Sequence, residues 1–366
     1  MPPSDELTIT SCTIYQYHID LNPSLPVGIQ RIDSRKGLVL YIQLNNHQTA
    51  WAEIAPLSGL DIDNQAITGF SQESLDEVQS QLQQLLASFI DQPLAILNDI
   101  AKQTQLPSLA FSLSLLDAKL TQTLPVRIEN PRIQSAVVPL LYDGMSTQVV
   151  NQKLLTQGSI NSVKIKVAQT SIASEIQFIY QVLAIAPQVT LRLDANRGFS
   201  LEQAIDFLAC LPKNKIEYIE EPCINPSDNP QIFRQLGIKF ALDESLNSPK
   251  FDLSLALLQP GLGALIIKPM LLGSLEKLQH MINLAHLEGV RCILSSSLEA
   301  DMGINDLRLV SQALTPDESP GLDTLSAFSQ SLLSASCGLT PQLNHKVLRQ
   351  LVHIGQIRDS NKVDEQ

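Results

Sequence analysis

Positive charge is scarce in this chain. Lys and Arg number 25 against 37 Asp and Glu, a net charge of −12. Nucleic acid and anionic membrane both require a basic face, so neither is expected as a partner. A local cationic pocket for an anionic substrate stays compatible with that total. Paired cysteines are lacking too. The five present (Cys12, Cys210, Cys223, Cys292, Cys337) are odd in number and far apart, with no metal knuckle or redox pair. They read as free buried thiols in a reducing cytoplasm, which is the expected location. No apolar run reaches membrane-spanning length. The start MPPSDELTIT has no basic stretch followed by an apolar one, so no signal peptide is expected. Low-complexity segments and sequence repeats are also missing.

What is present is length and apolar content. The 366 residues are long for one domain and lead us to expect two, and a hydrophobic fraction of 44% supplies a sizeable core. LTITSCTIYQYHI, GLVLYIQL and TAWAEIAPL read as an antiparallel meander of three strands. Asn22, Pro23, Pro26 and Gly28 make residues 20–35 a loop between the first two. After a loop at 58–70, Leu75, Val78, Leu82, Leu85, Leu86 and Phe89 recur at helical spacing, with Ser71, Glu73 and Ser74 available as N-terminal caps. Further helices are expected over 92–103 and after Pro107. These pieces predict an α+β domain, joined to the second half of the chain by a link between Pro125 and Pro131.

A different rhythm then begins. AVVPLLYDG (136–144) is a first candidate strand, and a helix is expected over Thr147–Gln157. Lys164 and Lys166 lie in SVKIKV, Asp194 ends VTLRLD, Glu220 and Glu221 end IEYIEE, Asp243 and Glu244 end IKFALDE, and Lys268 ends GALIIK. Lys166, Asp194, Glu220, Asp243 and Lys268 are 28, 26, 23 and 25 residues apart. Each interval holds one helix, one strand and two short loops. Ser200 with Gln203 forms a capping box, Gly237 and Gly289 stop helices, CILSSS continues as a strand and INDLRLVSQAL as a helix. SPGLDTLSAF is left to close the sheet, residues 329–354 to return to the first domain, and IRDSNKVDEQ to fray. The pattern is that of a parallel β/α barrel with its site at the C-terminal ends of the strands.

The chemistry follows from what those ends carry. Asp194, Glu220 and Asp243 end three successive strands, and three carboxylates at one mouth repel unless a cation sits among them. No His or Cys accompanies them, which argues for Mg²⁺ over zinc. The six histidines (His18, His47, His280, His286, His345, His353) fall at no expected strand end and receive no role. Taken singly, each acid reads equally well as a helix cap or ion-pair partner. Lys164 and Lys166 share one strand face, and Lys268 is expected across the barrel from them. A lysine beside other cations and away from water can serve as a base toward a proton next to a carboxylate. The serines of SSSLEA (Ser295, Ser296, Ser297) offer hydroxyls and amides to an anion. Asn196 and Arg192 are second-layer candidates around Asp194.

In that order, KIK, LRLDAN, IEEPC, LDES, IIKP and LSSSLE are similar to the enolase superfamily. With GSLEK, PGLDT, WAEIAPL and GFSQES, the chain most closely resembles the o-succinylbenzoate synthases within it. That resemblance implies a modified (β/α)7β barrel over 131–328, an α+β capping domain over 1–130, and a 329–366 segment that returns to the cap. It implies one Mg²⁺ on Asp194, Glu220 (rather than Glu221) and Asp243. Lys166 would remove the α-proton of 2-succinyl-6-hydroxy-2,4-cyclohexadiene-1-carboxylate and then help its hydroxyl leave as water, a hydro-lyase step toward menaquinone. Lys268 would stabilise the enediolate, and Lys164 would tune Lys166. Asn196, Ser295, Ser296, Ser297 and Gly321 of PGLDT would contact this small carboxylate substrate. Residues 58–70 are longer than the family usually has between IAPLSG and GFSQES. An N-succinylamino acid racemase or dipeptide epimerase is the alternative within the superfamily. A binding barrel without turnover and a Schiff-base aldolase using Lys268 are alternatives outside it. The sequence leaves the oligomeric state open, and a monomer is compatible with it.

Overall fold

The computed structural model describes residues 6–28, 30–124, 138–155, 160–334 and 341–355. Strands β1 (Ile9–Val27), β2 (Gln30–Leu44) and β3 (Thr49–Ile54) form the expected antiparallel meander, in register at Leu40↔Ala52 and Thr13↔Tyr41. The loop expected over 20–35 is instead strand on both sides of a tip near Gly28. The pairing runs to Asp20↔Ser34 and resumes at Leu25↔Ile32. The extra residues of β1 between those pairs form a bulge that takes up Pro23, so the proline interrupts one stretch of the ladder without ending the strand.

The buried face of this sheet (Ile14, Leu38, Leu40, Ile42, Ile54) packs on Val78, Leu82, Leu86 and Phe89 of helix Leu75–Phe89. Ser74 caps that helix in a reciprocal box with Glu77. The other two expected caps are engaged elsewhere. Ser71 Oγ accepts from Leu57 N–H, and the Glu73 carboxylate accepts from Ser108 N–H at the start of helix Pro107–Thr121. That third helix is buried nearly all round, with Leu109, Phe111, Leu113 and Leu116 among its enclosed residues. A helix apolar on every face must lie inside the protein. One side meets the meander, where Ser112 Oγ donates to Glu53 C=O, and the other meets the second half of the chain, where Ser114 Oγ accepts from Leu275 N–H. Helix Ile96–Gln103 covers part of the range expected for 92–103.

Seven parallel strands follow in sequence order: β4 (Leu140–Tyr142), β5 (Ser162–Lys166), β6 (Thr190–Asp194), β7 (Ile216–Glu220), β8 (Phe240–Leu242), β9 (Leu262–Ile267) and β10 (Arg291–Leu294). Helices connect them and cover one face of the sheet, which is apolar (Val163, Ile165, Leu191, Leu193, Ile219), while the other face carries Lys164, Lys166, Arg192, Asp194 and Glu220. The curled sheet is an incomplete barrel. Where an eighth strand would stand, Gly321 makes a single parallel bridge to Ser295, its N–H bonded to Leu294 C=O at 2.8 Å. On the far side of that gap, the Asp323 carboxylate accepts from Leu140 N–H of β4 at 3.0 Å and pairs with Lys153 at 2.5 Å. SPGLDT therefore closes the barrel through one bridge and one carboxylate, because proline before the bridge and a turn after it leave no room for a ladder.

Beyond a small hairpin of β11 (Leu333–Ser334) and β12 (Gln342–Leu343), strand β13 (Arg349–Gly355) pairs antiparallel with β1, at Ser11↔Gly355 and Ile14↔Val352. The meander is thus a four-stranded sheet made from both ends of the chain. The link from Pro125 to Pro131, the end of the Thr147–Gln157 helix and the IRDSNKVDEQ tail lie outside the described residues; helix Thr147–Leu155 is observed. Cys12, Cys223 and Cys292 are free and buried as expected, whereas Cys210 is free but exposed at a helix end. Cys337 lies outside the described residues. No helix among those described is long and apolar enough to cross a membrane.

Candidate active site

Parallel register brings the charged strand ends together. Lys166 lies beside Asp194, and Asp194 beside Glu220; Ala241 is the next partner, so Asp243 stands two residues further along. Side chains two apart share a face, so Lys164 lies directly below Lys166. Lys164 Nζ stands 2.5 Å from Glu220 Oε2 and 3.0 Å from Asp194 Oδ2. Lys166 Nζ donates to Asn196 Oδ1 at 2.7 Å and is 3.7 Å from Asp194 Oδ2. Asn196 in turn donates to Glu244 Oε1 at 2.7 Å. Lys268 Nζ donates to Asp243 Oδ2 at 2.7 Å and lies 5.3 Å from the centre of the Phe70 ring.

These groups are almost fully removed from water: Asp194, Glu220 and Asp243 are 1–2% exposed. Burial alone raises a carboxyl pKa. Asp194 is nonetheless held below the usual carboxylate range, because Lys164 and Lys166 outweigh its burial. Glu220 is pushed up to about 8 by burial together with the charges of Asp194 and Asp243, against Lys164. Lys164 and Lys268 are held above their ordinary values, the acids around each outweighing the loss of hydration.

One cavity gathers most of the residues singled out in the sequence. Lys164, Lys166, Asp194, Asn196, Asp243, Lys268, Ser295, Ser296, Ser297 and Gly321 all line it. Glu220 does not, and is reached through Lys164. Arg192 is drawn away from the mouth, bonded to Glu217 and to Ser319 C=O. Glu221 also faces elsewhere. Its carboxylate accepts from Asp243 N–H, Ser245 N–H and Arg197, so it sets the shape of the loop after β8. The meander supplies Val27 to the cavity, the segment after it Leu57 and Phe70, and Leu298 and Thr324 join them. No periodicity marks these five, since each sits in a loop or at a strand end. Glu244 was visible only as the neighbour of Asp243.

The donors suit a hard cation. Asp194, Glu220 and Asp243 offer only oxygen, and Asp243 Oδ1 is buried without a hydrogen-bond partner. Among the described residues, no three His, Cys, Asp or Glu side chains stand together at ion-holding spacing. Lys164 stands between Asp194 and Glu220, and Lys268 on Asp243.

Two family models match the chain: an enolase C-terminal domain-like region over residues 147–323 and a MenC N-terminal domain over residues 9–120. An o-succinylbenzoate synthase from Yersinia pseudotuberculosis serotype O:3 is 31% identical over 318 residues, 86% of this chain and 90% of that protein. Solved structures share the fold at lower identity. An N-succinyl Arg/Lys racemase from Bacillus cereus has a TM-score of 0.75 at 15% identity, covering 94% of this chain and all of its own. A dipeptide epimerase from Enterococcus faecalis, complexed with Mg and a dipeptide, has a TM-score of 0.71 at 18% identity, covering 89% and 93%. A cap sheet that pairs β1 with β13, a parallel sheet with lysines and acids in register, and similarity to the synthase over 86% of the chain agree: this chain belongs to the o-succinylbenzoate synthase family of the enolase superfamily.

Proposed function

We propose that this protein is an o-succinylbenzoate synthase. It dehydrates 2-succinyl-6-hydroxy-2,4-cyclohexadiene-1-carboxylate in menaquinone biosynthesis, with residues 1–130 and 329–366 as a cap over a 131–328 barrel. The observation that carries this reading is one buried cavity with Lys166 held on Asn196, Lys268 held on Asp243, and strand-end acids around them. Asp194, Glu220 and Asp243 are the residues that would hold Mg²⁺. When bound, the ion supplies positive charge that makes the proton next to the substrate carboxylate acidic.

Lys166, acting through its amine form, takes that α-proton, and the electron pair moves toward the carboxylate. Lys268 stays protonated beside Asp243 and answers the charge that develops there. Lys166, now an ammonium, returns the proton to the departing hydroxyl. Water leaves, and the ring becomes aromatic. Lys164, between Asp194 and Glu220, helps keep Asp194 charged and holds positive potential near Lys166. Ser295 and Ser296, with Gly321 behind them, offer donors to the second carboxylate, that of the succinyl arm, whereas Ser297 gives both its N–H and its hydroxyl to Glu299. Asn196 holds Lys166 and borders the substrate.

A lysine on each side of the cavity also suits a racemase or epimerase acting on N-succinylamino acids or dipeptides, with Lys268 as a second base. The test is to incubate the Mg²⁺-loaded protein with the cyclohexadiene and follow the aromatic absorbance. Product that disappears with EDTA and returns with Mg²⁺ supports the synthase. No product, together with deuterium exchange at the α-carbon of an N-succinylamino acid, overturns it in favour of the racemase.

A further inference from the structure

Arg35 lies in β2 of the cap and is 3% exposed, yet every acceptor around its guanidinium is a backbone carbonyl. Nε donates to Leu298 C=O at 2.9 Å, Nη2 to Ser297 C=O at 3.4 Å and to Ala55 C=O at 2.9 Å, and Nη1 to Pro56 C=O at 3.2 Å. Two of these carbonyls belong to the end of the cap sheet and two to the serine loop of the barrel. A buried guanidinium whose fork is spent on carbonyls fixes backbone position on both sides of it.

The loop it holds is unusual at the point of contact. Leu298 has φ +64, a left-handed conformation that a leucine adopts only when its surroundings impose it. The neighbouring donors are already engaged: Ser295 N–H on Ile267 C=O, Ser296 N–H on Gly321 C=O, Ser297 N–H on the Glu299 carboxylate, and Ala300 N–H on Glu53. Leu298 N–H has no acceptor among the described residues, and Leu298 lines the cavity. The left-handed turn thus leaves the Leu298 amide unclaimed, beside the hydroxyls of Ser295 and Ser296, which make long bonds to Gly321 C=O (3.3 Å) and Thr324 Oγ1 (3.2 Å).

We propose that Arg35 is a positioning residue: by holding the carbonyls of Ser297 and Leu298 it imposes the left-handed turn that presents the loop's free amide and hydroxyls to the substrate's second carboxylate. The cap thereby decides which acid fits, although Arg35 itself does not touch the ligand. This rests on the reading of the serine loop as the site for the succinyl carboxylate.

The test compares equilibrium binding of o-succinylbenzoate, which has both carboxylates, with that of benzoate, which has only the ring one. Wild type, Arg35→Lys and Arg35→Ala are measured as Mg²⁺-loaded proteins. The expected result is an affinity ratio that falls ~10- to 100-fold in Arg35→Ala and by an intermediate factor in Arg35→Lys, with benzoate binding changed less than about twofold. Arg35→Lys keeps the charge and carries the test if Arg35→Ala fails to fold. A ratio that stays at the wild-type value, including the case where both ligands weaken together, overturns the proposal. A wild type that does not prefer the dicarboxylate refutes the serine-loop reading instead, and this inference falls with it.

Discussion

Replacing Lys164 by methionine removes the cation that stands between Asp194 and Glu220 while keeping nearly the same volume. Its Nζ lies at 2.5 and 3.0 Å from the two carboxylates. At an effective dielectric near 20, each contact represents ~5–7 kcal/mol of gross attraction. Most of that only offsets the burial of the charges, and breaking a buried pair costs a net ~3–5 kcal/mol. The metal-free variant is therefore expected to melt well below the wild type. On the proposed reading Asp194 and Glu220 would hold Mg²⁺, whose positive charge would answer the same acids, so the ion should restore more stability to the variant than to the wild type. Where the two loaded forms are equally stable, linkage turns the apo difference into ~10²- to 10⁴-fold tighter Mg²⁺ binding by the variant. Thermal melts with and without Mg²⁺, with isothermal titration of Mg²⁺ into each protein, measure both sides of this balance. A metal-free Lys164→Met that melts with the wild type and binds Mg²⁺ no more tightly would refute the idea that Lys164 and the ion answer the same acids.

Two other expectations concern separate parts of the barrel. Lys166→Ala should lower the dehydration rate by ~10²- to 10⁴-fold, as loss of a positioned base does, with a far smaller change in o-succinylbenzoate affinity. Equal losses in rate and affinity would assign Lys166 to binding alone. At the opposite end of the strands, Glu217 accepts from Arg192 at 3.0 Å and Arg291 at 2.9 Å. Burial opposes its ionisation, but Arg192, Ser162, Thr190 and Arg291 outweigh that and hold it at about 2, against an ordinary 4.5. Because the folded value is the lower one, its contribution of ~3 kcal/mol is present above pH 4.5 and is lost as pH falls through about 2. Glu217→Gln should lower the melting temperature at neutral pH and flatten its acid dependence between pH 4.5 and 2. Parallel acid profiles for variant and wild type would show that another group governs that limb.

The residues at strand ends were legible because a parallel sheet turns equal spacing in sequence into adjacency in space. Lys166, Asp194 and Glu220 stand side by side for that reason alone. Capping was legible where it was local, as at Ser200 with Gln203, and was misread where a partner lay far along the chain. Glu73 looked like an N-cap for its own helix, but its carboxylate serves Ser108, thirty-five residues away. The prolines of 20–35 signalled a break, and only the pairing partner could show that a bulge absorbs it. The cap's contribution to the site was hidden for the same reason. Phe70 and Arg35 are unremarkable in their own segments and acquire meaning only against Lys268 and Leu298, which come some two hundred residues or more later.

The pairing of β13 with β1 also bears on how the molecule is made. Ser11 waits for Gly355, and everything that forms the barrel is synthesised between them. Until then β1 has a partner only on its β2 side, and its other edge carries unpaired backbone groups of the kind that recruit strands from other chains. A chain halted after the small hairpin would keep every acid and lysine of the cavity, yet leave that edge open. Pairing of β13 thus covers an edge of β1 that stays open while the barrel is being made, a seal against aggregation that depends on a contact of high sequence separation.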